Sequence, residues 1–412
     1  MANLSAYISN STVDIGEYID NIIVMDSTSG NIFNEIDGCI EVGKVYLQED
    51  YPSLRDKIGL VDASKLYDAG EITTNSSVKS TTALYKNNLY IVGFKTLGAG
   101  LATSTDLVSW NTNIETPTTT EIISAVSSTY CNGMYAIGYS TTNSTNTAIR
   151  YSTDGVTWTS IAGSTNLTNL KVLDYTTDTS TKFVYSGDTY TYLSADFVSS
   201  SGYIVSLVCS GRDETSGTLF AFASDGKFVR ISGEALIQYD VYPATNTMNA
   251  IAVSDNGILI AAGVGGEMVM STDAVTTTPY FGGTWTTISS GTTEDILTMK
   301  FVDGKFIYTG KSGNMGISYD YGQTWVQTPS GTYLDIKDFD IETIGGVTVV
   351  LAVVDTAKGK VYYSEDINRF YANSYDASTE FYVPTKTVES YITSGWASNQ
   401  SKAKLTTLIK AK

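Results

Sequence analysis

Along the middle of the chain, apolar residues come in short runs of four to eight bounded by Gly, Asn, Asp and Ser. They do not recur at helical spacing. LYIVGF (89–94), KFVYSG (182–187), LFAFAS (219–224), KFIYTG (305–310) and TVVLAVV (348–354) are such runs. Each predicts a strand covered on both faces. A second short strand follows most of them (AIRYS, EMVMS, NMGIS, KVYYS), then a polar turn, then a third (TWTSI, TWTTI, TWVQT, RFYAN). Three or four strands per unit, repeated along the chain, predict an all-β repeat architecture.

The polar turn is itself repeated. Its fullest copy is Ser318-Tyr319-Asp320-Tyr321-Gly322-Gln323-Thr324-Trp325, and a form one residue shorter is Ser152-Thr153-Asp154-Gly155-Val156-Thr157-Trp158. Looser copies carry Asp106 with Trp110, Asp273 with Trp285 after an insertion, and Asp366 with Phe370; degenerate ones carry Asp196 and Asp225. The copies begin at 104, 152, 194, 223, 271, 318 and 364, about 45 residues apart except for one short interval of 29. Physically the box is a hairpin turn. Its Asp accepts backbone N–H groups, its Gly takes the φ > 0 position, and its Trp covers the hairpin end.

The S-x-D-x-G-x-T-W pattern resembles the Asp-box, or bacterial neuraminidase repeat, of sialidase-type β-propellers. The resemblance implies antiparallel blades around a central channel, with each box joining the two outer strands of its blade. Seven boxes imply seven blades; six is the alternative, should the 29-residue interval mark a false box. The expected organisation is an acidic N-terminal module over 1–75, a propeller over 76–375, and an extension with a basic tail over 376–412. The strand closing the ring is expected either before Thr81 or after Phe370.

Asp106, Asp154, Asp196, Asp225, Asp273, Asp320 and Asp366, with Trp110, Trp158, Trp285 and Trp325, are therefore expected to be structural. Equivalent positions in successive blades spread around a rim and do not converge on one site. In the resembled family too, the box lies away from the active site.

Charge and composition narrow the function. The chain has 412 residues with 25 Lys and Arg against 43 Asp and Glu, a net charge of −18. Phosphate binding depends on clustered cations, so nucleic acid is not an expected partner. Histidine is absent, which removes His-based nucleophile activation and imidazole metal sites. A sialidase needs three arginines on the substrate carboxylate, and of the propeller's four, only Arg212 and Arg230 lie clear of a box. Adjacent acidic pairs (Glu49-Asp50, Asp213-Glu214, Glu294-Asp295, Glu365-Asp366) read as solvated turn charge, and the tyrosines at 185, 190, 192, 362 and 363 as strand packing. Cys39, Cys131 and Cys209 are too far apart for a CxxC pair and read as buried thiols. No catalytic residue, metal or cofactor is expected.

The richness in Ser (45), Thr (57), Gly and Asn, the strand-dominated architecture and an N-terminus without a signal-peptide pattern suit a virion protein made in a host cytoplasm. The segment Tyr51-Pro52-Ser53-Leu54-Arg55-Asp56-Lys57-Ile58-Gly59 resembles segments of bacteriophage tail-fibre and collar proteins. The expected function is a non-enzymatic structural protein of a phage particle (tail fibre, tail or capsid-associated) serving assembly and host attachment. A carbohydrate-binding receptor module and a glycoside hydrolase are the alternatives. Expected partners are other virion proteins, met through the N-terminal module and the C-terminal tail, further copies of the chain, and a host surface glycan; membrane insertion is not expected.

Overall fold

The structure, a computed structural model, describes residues 66–364 apart from 74–76, 98–99, 113–121, 142–147, 163–168, 196, 198–199, 234, 241–242, 276–281, 329 and 345–346. It also describes the backbone of five strands outside that span. The chain divides into two compact units, residues 66–365 and residues 1–65 with 366–412. In the second of these, Ala403–Lys410 lies between Tyr18–Met25 and Cys39–Glu41, antiparallel to both, and Val45–Leu47 pairs with Glu380–Tyr382. The two ends of the chain thus share one sheet.

In the larger unit the strands form antiparallel sheets, and the fifth repeat shows the pattern. Met248–Val253, Leu259–Gly263, Met268–Ser271 and Thr286–Ile288 pair in chain order. The middle strands are covered on both faces, with Leu259, Ile260, Ala261 and Ala262 fully buried, as the uninterrupted apolar run dictates. The hydrophobic clusters straddle consecutive repeats: Phe220, Phe222 and Phe228 of the fourth pack with Ile251, Leu259 and Val269 of the fifth, and Val349, Leu351 and Val353 of the seventh pack with Tyr85, Val92 and Phe94 of the first. The core therefore lies in the seams between repeats.

Seven inner strands face a common centre: Lys79–Lys86, Ile122–Cys131, Val172–Thr176, Leu207–Arg212, Met248–Val253, Ile296–Val302 and Ile336–Ile344. Each contacts the next, and the seventh contacts the first. The strand that completes the last sheet is Tyr67–Glu71, paired with Lys360–Ser364. Of the two closures open in the sequence, the ring uses the segment before Thr81.

The expectation of seven separate blades is corrected to six sheets. The first two repeats share one seven-stranded sheet, because Lys95, Thr96 and Leu97 pair with Ser124, Ile123 and Ile122. Among the described residues the first repeat has a single bridge, Thr103 to Asn111, where the other repeats have a fourth strand. Its second strand is extended at that end, and the next inner strand takes up the backbone donors and acceptors that are free there.

Candidate functional site

The turns that carry the boxes share one geometry. In the second repeat Asp154 Oδ1 accepts the N–H groups of Val156 (2.8 Å) and Thr157 (2.7 Å), and Ser152 Oγ, donating to the same oxygen, accepts the N–H of Gly155 at 2.8 Å. Asp106 accepts from Ser109 (2.7 Å) and Val108 (2.9 Å), Asp273 from Thr284 (2.6 Å), and Asp320 from Thr324 N (2.9 Å) and Oγ1 (2.6 Å). The backbone donors of Ser109 and Val108 hold the Asp106 carboxyl down to about 2, and those of Thr157 and Val156 do the same for Asp154. Trp110, Trp158 and Trp285 donate through Nε1 to a backbone carbonyl three residues upstream. Trp325 instead packs on Tyr308, with ring centroids 5.0 Å apart. These carboxylates are occupied by their own turns and converge on no common site.

In four copies the position three residues after the Ser has positive φ: Leu107 (60°), Gly155 (72°), Phe197 (62°) and Tyr321 (59°). A left-handed Leu or Phe is strained, and both are buried, Leu107 among residues of the seventh and first repeats and Phe197 stacked on Phe183 at 4.2 Å. Where the position is Gly155, Leu89 of the preceding repeat fills the space: a Cβ there would lie 2.1 Å from Leu89 Cδ2.

The copy at 223–228 is a correction. Its turn joins Leu219–Ala223 to Phe228–Ser232, the second and third strands of its sheet, not the outer pair. Ala223 stands where the box has Ser, so it offers the turn no hydroxyl, and among the described residues Asp225 accepts Lys227 N at 3.2 Å and the Gln238 amide, with Lys227 Nζ 4.0 Å away. Asp196 and Asp366 lie outside the described residues.

The seven inner strands enclose a cavity of about 390 Å³. In six of them the register slips at a β-bulge next to the cavity (between Ser80 and Thr82, Ala125 and Ser127, Leu207 and Cys209, Met248 and Ala250, Ile296 and Thr298, Ile336 and Asp338), which re-aims the following side chains. The lining includes Asp174, Glu214, Asp338, Asp340 and Glu342, with Lys86, Arg212 and Lys300.

Inner strands have no further strand on the cavity side, so their edge N–H and C=O groups need other partners. Side chains of neighbouring repeats supply them. Asp338 Oδ2 accepts Ala83 N (3.0 Å) and Thr82 Oγ1 (2.8 Å), and Asp340 Oδ2 accepts Tyr85 N (2.9 Å), joining the seventh repeat to the first. Ser127 Oγ donates to Leu173 O at 2.9 Å, and Asn249 Nδ2 to Ile296 O at 2.9 Å.

Lys300 Nζ donates to Asp340 Oδ1 at 2.8 Å, and Lys86 pairs with Glu342. Burial alone would depress the Lys300 ammonium, but the Asp340 and Asp338 charges outweigh it and leave its pKa raised. Burial raises the Asp338 carboxyl, against the pull of Lys300 and the Ala83 N–H. Across the ring burial likewise raises Asp174, which accepts from Ser210 Oγ at 2.8 Å and Tyr175 N at 2.9 Å. Arg212 lies 3.6 Å from the Tyr175 ring centroid and pairs with Glu214.

Both oxygens of Asp174, Asp338 and Asp340 thus accept hydrogen bonds from the chain itself. None of these acids belongs to the box. The signal that marks Asp338 and Asp340 is the alternation Asp338-Phe339-Asp340-Ile341-Glu342, three acids on one face of a strand, with Thr298 and Lys300 spaced likewise on the neighbouring strand. Of the acidic pairs seen in the sequence, Glu214 reaches the cavity, while Asp213 is buried in its own turn, bonded to Thr215 N and Ser216 Oγ. Asp295 accepts Gly265 N at 2.8 Å and pairs with Lys311. Tyr185, Tyr190 and Tyr192 pack on one another, Tyr362 is buried, and Cys131 and Cys209 are buried and free. Among the described residues no group of three His, Cys, Asp or Glu is placed to hold a metal ion, and no helix is long and apolar enough to cross a membrane.

No family model matches this sequence, and no curated protein does. Solved structures match the fold. YCF48 from Cyanidioschyzon merolae superposes with a TM-score of 0.52 at 14% identity, covering 71% of this chain and 97% of that one. Virginiamycin B lyase from Staphylococcus aureus, with quinupristin, superposes at 0.56 with 9% identity, covering 72% and 98%. The fold is a β-propeller. A streptogramin B lyase gives 0.52 at 13% identity over 74% of this chain and 99% of its own. Identities this low carry the propeller and no activity.

Proposed function

We propose that this chain is a non-enzymatic structural protein of a bacteriophage particle, serving assembly and host attachment, with the propeller as a rigid display unit. The observation that carries the non-enzymatic part is the bonding of the central carboxylates. Acid–base chemistry needs a carboxyl group free to meet a substrate proton, whereas Asp174, Asp338 and Asp340 spend both oxygens on the inner strands and the two other cavity acids, Glu342 and Glu214, are ion-paired with Lys86 and Arg212. The sheet shared by the strands Tyr18–Met25, Cys39–Glu41 and Ala403–Lys410 supports a separate anchoring unit. The phage setting rests on the resemblance of the Tyr51–Gly59 segment and on composition.

Density-gradient sedimentation of particles from the source, with this chain followed by mass spectrometry, tests the proposal. Stoichiometric co-sedimentation is the expected result; recovery only as free protein overturns it. Reducing-sugar release from host polysaccharide, abolished by Asp174→Asn or Asp338→Asn, would establish a hydrolase instead. Saturable glycan binding without release would favour the receptor-module reading. A peptide ligand is a second reading with one observation behind it: YCF48, similar in fold, has been solved bound to a D1 peptide.

A further inference from the structure

Arg150 occupies a core position. It lies in Ala148–Ser152, the third strand of the second repeat, opposite Ile137. Its neighbour Ile149 points the other way, into the cluster with Leu170, Leu173 and Phe183, so both faces of this strand are covered. Ile137 and Tyr139, on the Arg150 face, pack with Leu84, Ile91 and Leu101 of the first repeat. Counted back two residues from the last Ser of the third strand, other repeats place Ala102, Tyr192, Val269, Gly316 and Tyr362 here, none of them charged. The fourth repeat has Arg230, but that residue is only half-buried, whereas Arg150 is 2% exposed.

A guanidinium cannot shed its proton to escape burial. A buried charge without a partner is strongly destabilising, because nothing repays the water it has lost. Yet Nε and Nη1 of Arg150 bond no acceptor among the described residues, and no described carboxylate pairs with it. Tyr139, wholly buried, lies beside it with the ring centroid 5.6 Å from the guanidinium carbon, and its hydroxyl also bonds nothing among the described residues. Two guanidinium N–H groups and a hydroxyl, none with an acceptor among the described residues, are the complement of one small anion in this apolar seam.

We propose that the seam between the first and second repeats holds a buried monovalent anion of chloride or formate size on the Arg150 guanidinium, with the Tyr139 hydroxyl as a further donor. The anion completes the charge balance of the seam and links two repeats that already share a sheet. Because it binds the folded chain and not the unfolded one, its concentration sets stability by mass action.

The test is thermal unfolding of the full chain at constant ionic strength, with sodium gluconate replaced stepwise by sodium chloride or formate. The wild type is expected to gain melting temperature with the small anion, the gain rising with the logarithm of its concentration once that exceeds the dissociation constant. Arg150→Met is expected to lose that dependence and, in gluconate, to melt at or above the wild type, since an apolar side chain suits the seam. Chloride-35 NMR line broadening by native wild type, relieved by bromide, checks the same site without relying on the variant. A melting temperature indifferent to the anion overturns the proposal. Equal anion dependence in Arg150→Met also overturns it.

Discussion

Lys300→Met tests whether the cavity charges hold the ring together. The substitution keeps side-chain volume and removes the cation that donates to Asp340 Oδ1 at 2.8 Å and lies beside Asp338. Breaking a fully buried pair costs about 3–5 kcal/mol and an exposed one at most about 1 kcal/mol. With 37% of the Lys300 side chain exposed and 12% of Asp340, we expect about 2 kcal/mol, a fall of roughly 3–6 °C in melting temperature. The loss should depend on pH. Asp338 is already raised by burial, and without Lys300 it rises further. Between the ordinary carboxylate value and a raised folded value, the native state holds a proton that the unfolded state does not, so stability climbs as pH falls through that window. The window is wider in the variant, and its deficit should shrink between pH 7 and pH 4.5. Chemical denaturation of wild type, Lys300→Met, Asp340→Asn and the double variant at both pH values measures this, with a coupling of about 1 kcal/mol or more expected at pH 7. Additive single variants, or a deficit equal at the two pH values, would refute the reasoning.

Leu107→Gly relieves a φ of +60° but empties a buried site; the cavity cost of about 2–5 kcal/mol outweighs strain of about 1–3 kcal/mol, so urea denaturation should show a net loss of roughly 1–3 kcal/mol. Gly155→Ala combines φ +72° with a Cβ contact to Leu89, and should cost about 1–2 kcal/mol, part of it recovered when Leu89 is shortened to Ala. Asp154→Ala should destabilise at pH 7. Because the wild-type carboxyl is held at about 2, its contribution is complete above the ordinary carboxylate value and fades as pH falls toward 2, so acid unfolding curves of the two proteins should converge there. Burial pushes the Cys131 thiol up to about 11 and Cys209 to about 12; in a Cys39→Ser background neither should react with a thiol reagent at pH 8 until denaturant is added.

How much was legible in the sequence follows from the range of the forces involved. Apart from the copy with the insertion, where Asp273 reaches Thr284, the box turns are made by residues two to four apart: Ser152, Asp154 and Gly155 hold one another through local hydrogen bonds, and the apolar runs between them state strand and burial together. All-β repeats and the turn chemistry were therefore readable. The string at 223–228 looks like a box, yet it joins different strands, because pairing depends on the partners available on each side and Ala223 offers no hydroxyl to enforce the turn. The merging of the first two repeats, the closure by Tyr67–Glu71, and the bonds from Asp338 and Asp340 to Ala83 and Tyr85, 255 residues away, depend on which edges meet once the ring has formed. The alternation at 338–342 marked a strand face but not what that face would meet. Arg150 is likewise an ordinary strand residue in the sequence, and only the covering of both faces of its strand makes its charge a problem that the fold must solve.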